Sequence, residues 1–104
     1  MAIYVDEIIP CAPNRKWRWS VVCHMVSPDT DELHAFALRL GLKRSWFQDA
    51  GALPHYDLTP GMRARAVALG AIEVGRENWL EIFRPIRAAW VATKGGLVIL
   101  EMMP

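Results

Sequence analysis

A histidine, a phenol and a carboxylate follow one another at His55, Tyr56 and Asp57, just before a clear helix start. Thr59 can accept hydrogen bonds from the first amides of a helix, and Pro60 suits the next position because no amide hydrogen is needed there. An imidazole beside a carboxylate is a common arrangement for a general base or a metal ligand. We therefore predict that His55 and Asp57 lie together in a loop and take part in catalysis, with turn formation as the alternative.

Other residues that could do chemistry come from separate parts of the chain. Three histidines and two carboxylates could form a metal site of mixed nitrogen and oxygen ligands, which would suit zinc, manganese or iron. The compact signatures for metal or phosphate binding are absent, since the sequence has no His-Glu-x-x-His, no paired Cys-x-x-Cys and no glycine-rich phosphate loop. The candidate residues are Asp6, His24 and His34 as metal ligands, His55, Asp57 and Arg63 as catalytic residues, and Trp46, Gln48 and Tyr56 as ligand-binding residues.

Two of these candidates also have simpler interpretations. His34 stands beside the apolar stripe of a predicted helix, where a histidine is often packed and satisfied by a carbonyl group or water. His24 lies on the less apolar face of a predicted strand. Its neighbour Cys23 points to the opposite face of that strand, which disfavours a thiolate and imidazole pair.

The predicted elements alternate between short strands and helices. Ile3–Val5 forms a first strand with Asp6 at its carboxyl end, and residues 10–16, with two prolines, form a loop. The second strand covers residues 17–26, with Trp17, Trp19, Val21, Cys23 and Met25 on one face. Asp29 begins a helix whose apolar positions lead to Gly41, where a glycine cap ends it.

The second half of the chain continues this alternation. A long connection between Leu42 and Thr59 contains a short helical turn at residues 45–48, and the helix after Thr59 ends at Gly70. A strand at 71–74 precedes a helical stripe from Trp79 to Trp90, in which Pro85 predicts a kink or two abutting helices. A buried last strand is predicted at 97–100. We expect one α/β domain over residues 1–104, a short mixed sheet of about four strands with helices packed on it, in the order β-β-α-α-β-α-β.

Composition limits the classes of function. With 53% apolar and 22% charged residues in 104, the chain is an ordinary globular domain. Its net charge of +1 argues against strong non-specific binding to nucleic acids. No cationic leader and no apolar run of about 20 residues occurs, so we expect a cytoplasmic protein that does not enter a membrane. Cys11 and Cys23 are expected to be free thiols, and most of Trp17, Trp19, Trp79 and Trp90 to be core or interface anchors.

The chain resembles the family known as domain of unknown function 4031, found in bacteria and their phages. The resemblance rests on short motifs spread over about residues 2–74, and the C-terminal helix and strand, about 75–104, lie outside it. These motifs are Tyr4-Val5-Asp6, Cys23-His24-Met25, Asp31 to Ala35, Gly41-Leu42 through Trp46-Phe47-Gln48, His55 to Leu58, and Arg63, Ala66 and Gly70-Ala71. The family implies no known activity, but the polar candidates fall within its motifs.

Two main hypotheses follow, and they belong to different classes. The first is a small metal-assisted hydrolase acting on a phosphoester or nucleotide-like substrate, with Arg63 facing an anionic group. The second is a phage-encoded module that binds a host protein through tryptophans and the Trp79–Trp90 stripe. A small nucleic-acid-binding protein is a further alternative, because basic residues alternate with aromatic ones in two segments. These segments comprise Arg15, Lys16, Trp17, Arg18 and Trp19, and Lys43, Arg44 and Trp46.

Overall fold

A computed structural model describes residues 2–49 and 53–95, with only the backbone described at residues 94 and 95. Five strands and three α-helices occur in these ranges. They are β1 (Tyr4–Val5), β2 (Ile9–Pro10), β3 (Val21–Val26), α1 (Thr30–Arg39), β4 (Tyr56–Leu58), α2 (Pro60–Ala68), β5 (Ile72–Glu73) and α3 (Trp79–Trp90). A short 3₁₀ turn covers Arg44–Trp46, and a π turn, Val91–Gly95, follows α3. The strand predicted at 97–100 lies outside the described residues.

The strand β3 is the centre of a mixed sheet, because three other strands pair with it antiparallel. The strand β1 pairs with its last residues, β2 with its first residues and β4 with its middle. The strand β5 then adds to β1 in parallel, which places the carboxyl ends of β1 and β5 side by side. The prediction of a mixed α/β sheet is confirmed, with β2 and β4 as the strands that the sequence did not indicate.

Apolar side chains alternate along the central strands and separate two cores on opposite faces of the sheet. Cys23 and Met25 of β3 pack in the larger core with α1 and α2, whereas Val26 packs in a smaller core with Phe83 and Ile86 of α3. Helices therefore cover both faces. No helix within 2–49 or 53–95 has the length and apolar character that crossing a membrane requires.

The boundaries of α1 follow from the capping chemistry that the sequence predicts. The Asp29 side chain accepts hydrogen bonds from the amides of Asp31 and Glu32. At the other end Gly41 has a φ of 87°, and the Leu42 amide donates to the Ala37 carbonyl at 2.9 Å, which completes a Schellman cap. The backbone there needs a left-handed residue, which explains the glycine.

Removing the cap should weaken the domain measurably. We expect Asp29→Ala to lower the free energy of unfolding by about 1 kcal/mol, since two helix amides lose their acceptor. Urea denaturation followed by circular dichroism measures this change. Asp29→Asn, which keeps a side-chain acceptor, is the matched control, and an equal loss in both variants would contradict the capping role.

Several boundaries differ from the prediction for local reasons. The strand β3 begins at Val21, not Trp17, because the Asn14 side chain accepts from the Lys16 and Trp17 amides and turns the chain. Trp19 is consequently 43% exposed rather than a core anchor. The helix α3 continues through Pro85 instead of dividing into two helices.

The connection before α2 also differs, in a way that matters for the site. Asp57 belongs to β4 rather than to a loop. His55, immediately before β4, exchanges two backbone hydrogen bonds with Gln48 at 2.8 and 2.9 Å. The predicted loop is thus partly an extension of the sheet, which holds its polar residues in a fixed register.

Candidate metal centre

The pairing of β3 with β4 brings three of the predicted site residues together. His24 and Asp57 are direct partners across the two strands, and His55 lies two residues before Asp57 on the same face. The Asp57 Oδ1 atom is 3.4 Å from His55 Nε2 and 3.8 Å from His24 Nε2. One ligand atom from each residue lies within 4.8 Å of the other two.

The hydrogen bonds on the far side of each imidazole determine its tautomer. His24 Nδ1 lies 2.7 Å from Asp6 Oδ2, and His55 Nδ1 lies 2.7 Å from the Leu53 carbonyl oxygen. Both oxygens accept hydrogen bonds, so both Nδ1 atoms carry the proton. The Nε2 lone pairs of neutral His24 and His55 are then free, and both atoms lie beside the same carboxylate oxygen.

The carboxylate is held in a similar way. Gln48 Nε2 donates to Asp57 Oδ2 at 2.6 Å, which leaves Oδ1 facing the two imidazoles. Burial alone would raise the pKa of Asp57, but hydrogen bonds from protonated His55 and from Gln48, together with the charges of protonated His55 and His24, lower it below its ordinary value. Asp57 is therefore an anion at neutral pH, as a metal ligand must be.

Asp6 contacts the Nδ1 side of the His24 ring, not the side on which the three ligand atoms meet. Its carboxylate also accepts a hydrogen bond from the His24 amide, and its own amide donates to the His24 carbonyl. The hydrogen bond to Asp6 raises the pKa of His24 despite the opposing effect of burial. Protons and metal ions would accordingly compete for His24 Nε2.

Two of the three distances among the ligand atoms suit a small divalent cation. In a tetrahedral site with bonds of about 2.1 Å, ligand atoms lie about 3.4 Å apart. The two distances to Asp57 Oδ1, 3.4 and 3.8 Å, are close to that value. Two imidazole nitrogens with one carboxylate oxygen are a donor set suited to zinc, manganese or iron.

The remaining candidates lie elsewhere in the structure. His34 Nδ1 is 2.9 Å from the Tyr56 hydroxyl, and its ring makes an edge contact with Phe47. Tyr56 points into the larger core, opposite to its neighbours His55 and Asp57. Trp46 is half exposed with the Lys43 ammonium over its ring. These residues are not part of the convergent group.

Arg63 lies close to the group without facing its ligand atoms. Its Nε donates to the Asp6 backbone carbonyl at 2.7 Å, and a terminal nitrogen lies 2.8 Å from a Glu73 carboxylate oxygen. Arg63 therefore ties α2 to the carboxyl ends of β1 and β5. Its positive charge lies next to Asp6, the residue that is hydrogen-bonded to His24.

Cys23 is adjacent to His24 in sequence but belongs to the opposite face. Burial, followed by the negative charge of Asp6, raises the pKa of Cys23 to about 12. The side chain is therefore a neutral thiol in the core. Cys11, the other cysteine, is also free, as the sequence predicts.

His34 offers a pH measurement that is independent of any metal. Its pKa is lowered below 6.5, first by burial and then by the Arg44 charge. The unfolded chain then binds more protons in the window just below pH 6.5, so His34 lowers the stability of the fold as pH falls there. We expect NMR titration to give His34 a pKa below 6.5, and His34→Gln to remove this part of the pH dependence. Titration at or above 6.5 would contradict the packing described.

Some of the groups around the metal site were not predicted from the sequence. The Leu53 carbonyl has no sequence signal, since any residue there would supply it. Residues near the start of α3, notably Arg76 and Trp79, lie with Asp6 and His24 around one pocket. Helical spacing assigned Trp79 to a packed stripe, yet it is 36% exposed.

The fold and the convergent residues define a small α/β domain with a His, His and Asp group able to hold a metal ion. A family model described as "Protein of unknown function (DUF4031)" matches residues 3–85, so the chain belongs to this family. The predicted resemblance is thereby confirmed, and the match extends into α3. No curated protein and no solved structure matches the chain.

Proposed function

We propose that this domain is a metal-assisted hydrolase that acts on a phosphoester or nucleotide-like substrate. The observation that carries the proposal is the convergence of His24 Nε2, His55 Nε2 and Asp57 Oδ1, each on a side chain whose other polar atom is satisfied. Ligands held by outer hydrogen bonds in this way are typical of metal sites in proteins. Histidines that were scattered and singly satisfied would have favoured the interaction module.

Three protein ligands favour a catalytic site over a structural one. Structural zinc sites have four protein ligands, whereas catalytic sites have three and leave a position open for water or substrate. A cation bound there would lower the pKa of water and polarise a phosphoryl oxygen. His24 is the most exposed of the three side chains, at 27%, so substrate can approach from its side.

The roles of the remaining residues follow from their positions. Asp6 and Gln48 orient His24 and Asp57, and the Leu53 carbonyl orients His55. Arg63 is the candidate for stabilising an anionic group through its charge, since its partner Glu73 is itself exposed and can be displaced. In hydrolysis, water adds to phosphorus, the ester P–O bond breaks, and the two protons of water end on the leaving alcohol and on phosphate.

The role of Asp6 leads to a specific expectation. Asp6→Ala should weaken metal binding by about 10–100-fold, because His24 would lose the acceptor that fixes its tautomer. Asp6→Asn keeps one acceptor oxygen for His24 Nδ1 but cannot also accept from the His24 amide, so it should lose less affinity than Asp6→Ala. Competition with a chromophoric chelator measures both. Equal affinity in wild type and Asp6→Ala would show that Asp6 does not orient the ligand.

Hydrolysis itself is tested with aryl phosphate monoesters and diesters, assayed with Mn²⁺, Zn²⁺ and Fe²⁺ in turn. The wild type should release the aryl alcohol in a metal-dependent reaction, and the His55→Ala, Asp57→Ala double variant should not. A double variant that keeps its fold, metal content and activity would refute the proposal.

One observation supports a second candidate function, the module that binds a host protein. The stripe on α3 is only partly buried, because Phe83 and Ile86 pack inward while Trp79 and Leu80 are 36% and 50% exposed. Affinity purification with wild type and with Leu80→Ser tests it. Recovery of the same host protein with both would reject this surface.

A further inference from the structure

A pocket of about 250 Å³ lies beside the metal group, where β1 and β5 end. Its walls include His24, one of the three ligand residues, and Asp6 behind it, whereas His55 and Asp57 do not line the pocket. The strands β1 and β5 are parallel, and Val74 directly after β5 donates its amide to the Val5 carbonyl at 2.8 Å. In α/β sheets, ligands commonly bind outside the carboxyl ends of such strands.

The chemistry of the remaining walls indicates the kind of ligand. Trp79, at the start of α3, supplies an aromatic surface, and Ile9 and Val74 add apolar contacts. An edge-to-face contact with Phe83, at a centroid distance of 5.2 Å, orients the Trp79 ring. Arg76 supplies a positive charge, and Glu7 a carboxylate that can accept hydrogen bonds from hydroxyl groups.

We propose that this pocket binds the substrate and that the substrate is a mononucleotide-sized phosphate ester with a flat ring. The proposal rests on the proposed hydrolase function. Its phosphate lies between His24 and Arg76, and its ring stacks on Trp79. The volume, slightly below the range of about 300–1,000 Å³ usual for ligand pockets, limits the occupant to a small molecule.

Three probes separate the two contacts. Adenosine 5′-monophosphate has both ring and phosphate, ribose 5-phosphate lacks the ring, and adenosine lacks the phosphate. Their dissociation constants are measured by calorimetry, with Mn²⁺ and again with chelator, on wild type, Arg76→Gln and Trp79→Leu. Arg65→Gln and Trp19→Leu, which change exposed residues that do not line the pocket, are the controls.

We expect Trp79→Leu to weaken the monophosphate and adenosine about tenfold and to leave ribose 5-phosphate unchanged. Arg76→Gln should weaken the two phosphate probes about tenfold and leave adenosine unchanged. The controls should bind as wild type does. The proposal is overturned if no probe binds wild type in either condition, or if both pocket variants bind the monophosphate unchanged. The probes are also measured in chelator, where no metal is needed for binding. A protein that binds them there but does not hydrolyse esters would therefore contradict only the hydrolase proposal.

Discussion

Replacing His55 by alanine should weaken binding of a divalent metal by more than about 100-fold, the upper range for losing a hydrogen-bond partner behind a ligand. The reason is that His55 Nε2 is one of only three ligand atoms that the described residues bring together. Its loss leaves His24 and Asp57, and two ligands hold a cation far more weakly than three. Competition with a chelator near neutral pH gives the metal affinity of each variant.

His34→Ala is the matched control for this experiment. It removes the same type of side chain, but His34 is bonded to Tyr56 and packs against Phe47, away from the convergent group. We expect its metal affinity to equal that of wild type. If His34→Ala and His55→Ala weaken binding equally, the ligand assignment is wrong.

The largest expected effect on stability comes from Leu33 in α1. This side chain is fully buried in the larger core, so Leu33→Ala removes apolar contacts and leaves a cavity. The free energy of unfolding should fall by about 2–5 kcal/mol. Since domains are stable by only about 5–15 kcal/mol, this loss is a large fraction of the total free energy of unfolding. Thermal and urea unfolding measure the loss.

Leu38 on the same helix provides the control. It is 63% exposed, so Leu38→Ala should change the unfolding free energy by no more than about 0.5 kcal/mol. The contrast between two leucines five residues apart tests the orientation of α1 directly. Similar losses at both positions would mean that the helix packs on a different face.

The helices were predictable from the sequence because their signals are local. Asp29 and Thr59 cap the helix starts, and Gly41 and Gly70 take positive φ at the helix ends. Each signal acts within one turn of the backbone. Pro85 left two alternatives open, a kink or a division into two helices, and α3 continues through it without dividing.

The sheet was harder to predict because its strands are short and its pairing is not local. Ile9–Pro10 is only two residues long and contains a proline, so it has no visible strand pattern. The Asn14 turn, which shortens β3 by four residues, depends on one side chain. Which strands pair is decided by contacts between residues far apart in the chain.

For the site, the types of residue were predictable but their grouping was not. His55 and Asp57 stand out by their spacing, and His24 and Asp6 by their strand positions. Only the register of β3 against β4 places His24 opposite Asp57 and separates both from His34. The hydrogen bonds from Gln48 and to Leu53 likewise come from the folded connection.

The central claim is that His24, His55 and Asp57 bind a metal ion, and metal content tests it most directly. Untagged protein is purified without chelator, dialysed against Zn²⁺, Mn²⁺ or Fe²⁺, and analysed by elemental mass spectrometry beside the His55→Ala, Asp57→Ala variant. The account predicts near one ion per chain in the wild type for at least one of these metals and almost none in the variant. Wild-type protein that holds none of the three, or a folded variant that holds as much, would contradict it.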